Sequence, residues 1–255
     1  MDRLWRSRWS VVIGVFCMAS LAAGTANASL ARNAAGAKNM GEKGRFTLDT
    51  AGRIEADADG RVLGSETDMQ YQLSKRFQLL AEGTLFEAQQ PDVGERVSGF
   101  GDVVLTTSWL AFAAMGRRPS VVLGASVKLP TSSHEAIGTD KTDVSVLLVI
   151  GKETGELELS LEAEYAKFGQ TGGEKLENQF LYTLTAEYAV NDLLAIYGEA
   201  FGNSAPTKSW SRTDAAKVGL ELDIPLLREG AAPYLSLEYD TEGLAGARLG
   251  VAWTW

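Results

Sequence analysis

The sequence predicts an all-β fold, namely a transmembrane antiparallel up-and-down β-barrel with twelve strands. Three observations predict it. The chain begins with an export signal and continues as a series of segments of about ten residues in which apolar and polar residues alternate. It ends in a strand whose last residue is tryptophan. Ten residues is the length that a tilted strand needs to cross a membrane. The predicted organisation is therefore a signal peptide over residues 1–28, a lead-in over 29–44 and a barrel over 45–255.

The amino end has the three parts of a secretory signal peptide. Arg3, Arg6 and Arg8 form its positive region, residues 11–23 are apolar, and residues 26–28 read Ala-Asn-Ala, a small-residue cleavage site. Cleavage before Ser29 would export the chain across the inner membrane; the alternative is an uncleaved anchor. Because Cys17 is the only cysteine and lies inside this segment, disulfides and cysteine-ligated metals are not expected in the mature chain.

Charge excludes one class of partner, and the composition points to no cofactor or metal. The chain carries 24 Lys and Arg against 33 Asp and Glu, a formal net charge of −9. Nucleic-acid binding needs an excess of basic side chains, so no nucleic-acid partner is expected. Residues 29–44 are small and polar, which favours a flexible periplasmic lead-in, with a short plug in the lumen as the alternative.

The barrel segments are recognised by their period of two. In residues 157–165 leucine alternates with glutamate and serine, and residues 218–224 repeat the pattern. Gly52 interrupts the first segment, which is the least regular. The predicted segments are 45–57, 62–73, 76–88, 101–112, 119–130, 141–152, 156–168, 178–189, 193–203, 213–224, 232–241 and 246–255. An even strand number places both termini in the periplasm, with the long polar connections outside.

Aromatic residues on the apolar faces cluster near the predicted membrane interfaces, where a ring is half in water. The terminal strand, 246–255, is expected to face lipid on its tryptophan side and to engage the barrel-assembly machinery of a bacterial outer membrane. The alternative fold is a soluble β-sandwich, which also alternates. The predicted girdle residues are Tyr71, Phe77, Trp109, Tyr165, Tyr188, Trp253 and Trp255.

Short motifs between residues 99 and 143 resemble a known family. Gly99-Phe100-Gly101-Asp102 opens one segment, Lys128-Leu129-Pro130-Thr131 closes the next, and Thr142-Asp143 opens a third. This pattern is similar to the bacterial outer-membrane family labelled "MetA-pathway of phenol degradation", and loosely covers residues 62–255. Ser132, where the family commonly has glycine, and the final Trp rather than Phe depart from it. The resemblance implies a transporter-like barrel and no particular solute.

Carboxylates dominate the face opposite the apolar one, which in a barrel is the lumen. One interpretation is a hydrated, cross-linked interior that holds the shape of the barrel; the other is a pore that favours cations. Asp102, Lys128 and Asp143 each lie on the face opposite the apolar residues of their segment, at a similar distance from the outer end of the barrel. We expect them to form a cluster under the outer mouth. The predicted lumen or constriction residues are Asp102, Lys128, Asp143, Glu162, Glu164, Glu221 and Arg248.

The function expected from these patterns is the passage of a small solute, as a transporter or passive channel in the cell outer membrane. The first alternative is a closed structural or adhesion barrel. The second is an outer-membrane hydrolase, whose only candidate histidine is His134. Ser132, Ser133 and Glu135 are its neighbours in sequence, but a catalytic site needs geometry rather than adjacency. We therefore expect no enzymatic activity.

Overall fold

The chain forms a closed antiparallel β-barrel of twelve strands. The computed structural model describes residues 42–56, 60–91, 94–134, 137–138, 141–169, 178–204, 213–223, 231–241 and 243–255. The predicted signal peptide and nearly all of the predicted lead-in lie outside these residues. Within them, no helix is long and apolar enough to cross a membrane.

Twelve strands build the barrel, and a thirteenth, β4, is a short strand that pairs only with the end of β3. The bounds are β1 Phe46–Ala56, β2 Gly60–Ser74, β3 Phe77–Pro91, β4 Val97–Gly99, β5 Val103–Phe112, β6 Ser120–Leu129, β7 Asp143–Thr154, β8 Leu157–Lys167, β9 Gln179–Asn191, β10 Leu194–Asn203, β11 Thr213–Asp223, β12 Ala231–Asp240 and β13 Ala245–Thr254.

The predicted fold class and the count of twelve barrel strands are confirmed. The segment containing Gly52 forms a regular strand, because β1 is held on both sides, by β2 and by β13. Two features were not predicted. The hairpin of β2 and β3 extends further than expected, and β4 adds to its end, in the connection that the sequence reads as a polar loop.

The barrel closes where the last strand pairs with the first. Thr47 lies opposite Thr254 and Ala56 lies opposite Ala245, so ten residue pairs, from one end of β1 to the other, join the two strands. The rings of Phe46 and Trp255 contact each other at the foot of this seam, with centroids 5.6 Å apart. We call the end with both termini the periplasmic end, and the opposite end, with the long connections, the outer end.

Alternation sets which side chains face the lumen. Along β8 the leucines at 157, 159 and 161 are exposed on the outer surface, while Ser160 and Glu162 are buried inside. The same pattern holds around the cylinder, since antiparallel partners share a face. The described strands thus present a largely apolar surface outward and a largely polar one inward.

Candidate functional site

The lumen is the candidate functional site, and its charged side chains are organised in three ion-pair groups. Each group contains at least one cation bound by carboxylates from neighbouring segments. Buried ion pairs of this kind need good geometry and further hydrogen bonds to offset the loss of water. The described luminal cations are Arg53, Lys128, Lys217 and Arg248.

The first group is the outer clasp, formed by Asp102, Lys128 and Asp143. The Lys128 ammonium lies 3.4 Å from Asp102 and forms a second ion pair with Asp143. Asp102 also accepts hydrogen bonds from the backbone N–H groups of Thr131 (3.1 Å) and Ser132 (2.9 Å). The structure therefore brings the three predicted residues together. Their contacts tie the strands to the outer connections, and a role as a constriction stays a prediction.

The second group centres on Lys217 of β11. Its ammonium lies 2.9 Å from Glu199 of β10 and 3.4 Å from Glu238 of β12. The hydroxyl of Tyr197 lies 3.1 Å from that of Ser236 and donates to Glu238 at 3.3 Å. This group fixes three consecutive strands to one another through the lumen.

The third group lies at the seam, and the sequence analysis identified only Arg248 of it. Arg53 of β1 binds Glu66 and Glu87, each at 2.7 Å, and lies 3.6 Å from Glu55. Arg248 of β13 binds Glu66 at 3.2 Å. Arg53 was missed because the irregular first segment obscured its parity. Asp49 and Glu55 have the same parity as Arg53 on β1, and this shared polar face could have predicted that Arg53 lies in the lumen.

The other predicted lumen residues line the wall of the barrel. Glu162 and Glu164 lie on β8 and Glu221 on β11, on the inward face in each case. Glu162 is buried, whereas Glu164 and Glu221 are partly exposed. Whether any of them contacts a solute stays a prediction.

An apolar patch covers part of the lumen wall in its periplasmic half, which was not predicted. Leu110, Val122 and Val149 lie directly opposite one another on β5, β6 and β7, and Val122 and Val149 have no exposed surface. Leu80 and Leu147 pack against them. Side chains are therefore closely packed over this part of the wall, which narrows any path for a solute at this level.

One luminal carboxylate stands apart from the three groups. Glu82 of β3 is 8% exposed, and neither of its carboxylate oxygens accepts a hydrogen bond from a described residue. Asp68 lies directly opposite it on β2. No group of three or more His, Cys, Asp or Glu among the described residues is arranged to hold a metal ion.

The predicted girdle residues lie on the outer surface of the strands. Tyr71, Phe77, Trp109 and Tyr188 are exposed near the periplasmic end, and Tyr165 is exposed near the outer end. Phe77 and Trp109 stack, with centroids 6.2 Å apart. Trp253 and Trp255 lie at the foot of the seam, on the same face as the exposed Leu249. Their contact with lipid headgroups stays a prediction.

The lone described histidine, His134, lies in the connection between β6 and β7, next to a serine whose hydroxyl contact is described. His134 is exposed, and its neighbour Ser132 donates its hydroxyl proton to the backbone carbonyl of His134. A serine nucleophile would instead need its hydroxyl on the imidazole. The Ser132 hydroxyl is therefore directed at a backbone carbonyl in this arrangement and not at the imidazole.

The shape and facing of this cylinder define a class, the outer-membrane type of β-barrel, and solved structures agree. The KdgM porin in complex with disordered oligogalacturonate is similar with a TM-score of 0.54 and 13% identity, over 81% of this chain and 98% of that one. The NanC porin has a TM-score of 0.54 and 10% identity, over 81% and 98%. The translocator domain of the autotransporter NalP from Neisseria meningitidis has a TM-score of 0.51 and 11% identity, over 92% and 97%.

Sequence comparison goes one step further than the fold. The family described as "Putative MetA-pathway of phenol degradation" matches residues 24–224, and the chain belongs to that family. The resemblance found in the sequence motifs is thereby confirmed. No curated protein matches the chain.

Proposed function

We propose that this protein is a narrow passive channel of the outer membrane that passes small cationic or neutral solutes. The observation that carries the proposal is the lumen itself. Its wall is polar and its carboxylates outnumber its four described cations, while the outside of the barrel is apolar. Rings of carboxylates favour cations in a pore, and a polar interior is what a water-filled barrel needs.

The similar structures support a channel in general but suggest a different solute. KdgM and NanC are both named porins, and KdgM binds oligogalacturonate, a chain of carboxylate sugars. At 10–14% identity the likeness extends to the fold alone. A polyanion would meet the luminal carboxylates Glu82, Glu162 and Glu164 here, and like charges at short range repel. The charge of the wall thus argues for cations over polyanions.

Planar-bilayer electrophysiology tests this proposal. The refolded barrel, reconstituted under a KCl gradient, should show discrete conductance steps. Its reversal potential should lie closer to the equilibrium potential of potassium than to that of chloride. Flux of a small neutral solute into liposomes should rise in parallel. Absence of conductance steps at any protein concentration, together with no flux above empty liposomes, would overturn the channel.

A closed structural barrel is the second candidate, and one observation favours it. Luminal side chains at several heights are almost inaccessible to water, among them Gln179 near the outer end and Ser120 near the periplasmic end. Packing of this kind stabilises a cylinder without giving it a path. The same bilayer recording separates the two candidates, because a closed barrel inserts without conducting.

The route to the membrane completes the proposal. Residues 1–28 serve as a cleaved signal peptide, and β13 is the strand that the barrel-assembly machinery recognises. The support is the sequence of the amino end and the pairing of β13 with β1 that completes the cylinder. Mass determination of the mature protein should find Ser29 at its amino end; a mass that retains residues 1–28 would contradict cleavage.

A further inference from the structure

The strongest unexplained feature of the lumen is the carboxylate of Glu82. It points inward from β3, is 8% exposed, and both of its oxygens are buried without a hydrogen-bond donor among the described residues. A charged carboxylate in this state is costly unless a cation or several donors satisfy it. The four described luminal cations do not supply one, because each forms its ion pairs with other carboxylates.

Glu82 has a second carboxylate, that of Asp68, as its neighbour. Asp68 lies directly opposite Glu82 across the β2–β3 ladder, where side chains on one face approach each other closely. Asp68 is partly exposed to the lumen, so the pair is open on that side. Leu80, buried on the same face of β3, lies one inward position closer to the periplasmic end and forms an apolar floor. Two carboxylates above an apolar floor make a small site with acceptors only.

Two other pairs of luminal carboxylates in this barrel are each bridged by a lysine ammonium group. The ammonium of Lys128 lies between Asp102 and Asp143, and the ammonium of Lys217 lies between Glu199 and Glu238. An ammonium has three donors and no acceptor, so it can bind two carboxylates at once. The side chains whose charges act most strongly on Glu82 are carboxylates, with Asp68 first. The third pair therefore has the acceptors of the other two and no lysine of its own.

We propose that Asp68 and Glu82 form a binding site for the primary ammonium group of a small amine solute. The ammonium lies between the two carboxylates and donates to both, as the lysines do in the outer clasp and in the Lys217 group. Since no set of three or more ligands is arranged for a metal in the described part of the chain, an amine fits the site better than a metal ion. The site implies that primary amines are among the solutes of the proposed channel. It rests on that proposed function in one respect, namely that the amine must enter the lumen.

Thermal unfolding of the full-length mature barrel in zwitterionic detergent micelles tests the site without requiring conduction. Methylammonium chloride is the probe, and tetramethylammonium chloride is its control, since it carries the same charge but no N–H donor. We expect methylammonium to raise the midpoint of unfolding, and tetramethylammonium at equal ionic strength to leave it nearly unchanged. Equal effects of the two salts would overturn the site, because charge screening alone would then explain them.

Two variants assign the effect to the pair. Glu82→Gln and Asp68→Asn should each weaken methylammonium binding about tenfold or more, because each removes one charged acceptor. Glu153→Gln makes the same chemical change at an exposed position near the end of β7 and should bind as the wild type does. Undiminished binding in a folded Glu82→Gln or Asp68→Asn variant would overturn the proposal. A barrel that binds methylammonium without conducting would refute the channel and keep the site. A barrel that conducts without binding methylammonium would refute the site and keep the channel.

Discussion

Two tyrosine rings in the lumen pack against glycines of the next strand, and this packing restricts which residue can occupy each glycine position. A Cβ atom added to Gly250 would lie 2.5 Å from Cζ of Tyr234, and one added to Gly219 would lie 2.3 Å from Cζ of Tyr197. Both hydroxyls are held in place, that of Tyr234 by Asp49 at 3.1 Å. Glycine is needed at both positions because only a hydrogen leaves room for the ring.

Gly250→Ala should therefore destabilise the barrel by about 1–3 kcal/mol, the usual cost of forcing an extra methyl into packed surroundings. Urea unfolding of the refolded barrel in lipid vesicles measures it. Gly52→Ala is the matched control, since a Cβ at Gly52 would meet nothing within 4 Å. If both substitutions had the same effect, the ring would not be confined as described.

The outer clasp gives the second prediction at this scale. Lys128→Ala leaves Asp102 and Asp143, which are mostly buried, without their shared cation. We expect a loss of about 2 kcal/mol in the free energy of unfolding, between the values for surface and buried pairs. Lys152→Ala, which removes a lysine at the opposite end of β7, should have a smaller effect. A loss no larger than that of the control would mean that the clasp contributes nothing to stability.

Bilayer recording of the same Lys128→Ala variant tests the predicted constriction. If Asp102 and Asp143 line the solute path, removing their cation should increase the preference for cations. An unchanged reversal potential would leave the group as a structural clasp alone.

At the scale of the element, the seam between β1 and β13 depends on one carboxylate. Arg53 and Arg248 are direct partners across the seam, and Glu66 of β2 binds both. Two guanidinium groups at adjoining positions repel each other unless an anion lies between them. Glu66 therefore holds the first, second and last strands together.

Glu66→Ala should destabilise the barrel by about 3 kcal/mol, since it leaves the buried Arg53 and the partly buried Arg248 with fewer partners. The measurement is urea unfolding, with the rate of refolding into vesicles as a second readout. Ser65→Ala, the neighbouring residue on the outward face of β2, is the control. A Glu66→Ala barrel as stable as this control would show that the seam needs only its backbone hydrogen bonds.

The two faces of β9 supply another prediction. Leu184 is 51% exposed on the outer face near the middle of the strand, and Thr183 faces the lumen opposite Glu162. Leu184→Arg should cost about 2–4 kcal/mol in a bilayer because it places a charge against acyl chains. Thr183→Arg, the adjacent control, should cost less because a carboxylate lies across the ladder. Equal costs in vesicle unfolding would contradict the assigned facing.

The strands could be predicted from sequence more fully than the lumen could. Period-two alternation identified β8 and β11 within a few residues, because one face meets lipid and the other water. It could not identify the apolar patch. Residues 146–150 are a continuous apolar run, so parity alone did not show that Leu147 and Val149 face inward. The role of Glu66 was also inaccessible, because register between distant strands decides which cation a carboxylate meets.

At the scale of the whole molecule, the barrel combines an acidic wall with an apolar patch, and the two have opposite consequences. The carboxylates favour hydration and cations. The patch around Leu110 and Val149 excludes water from one part of the periplasmic half. The size of the path through the barrel is therefore expected to depend on these apolar side chains more than on the charges.

Truncating the patch should open the path. In the double variant Leu110→Ala and Leu147→Ala, two buried inward-facing side chains lose most of their volume, and we expect single-channel conductance to increase at least twofold, although the cavity lowers stability by several kcal/mol. Leu105→Ala, on the outer face of the same strand as Leu110, is the control and should conduct as the wild type does. Conductance identical in all three proteins would mean that the narrowest part of the path lies elsewhere, because a constriction formed by this patch must widen when its leucines are shortened.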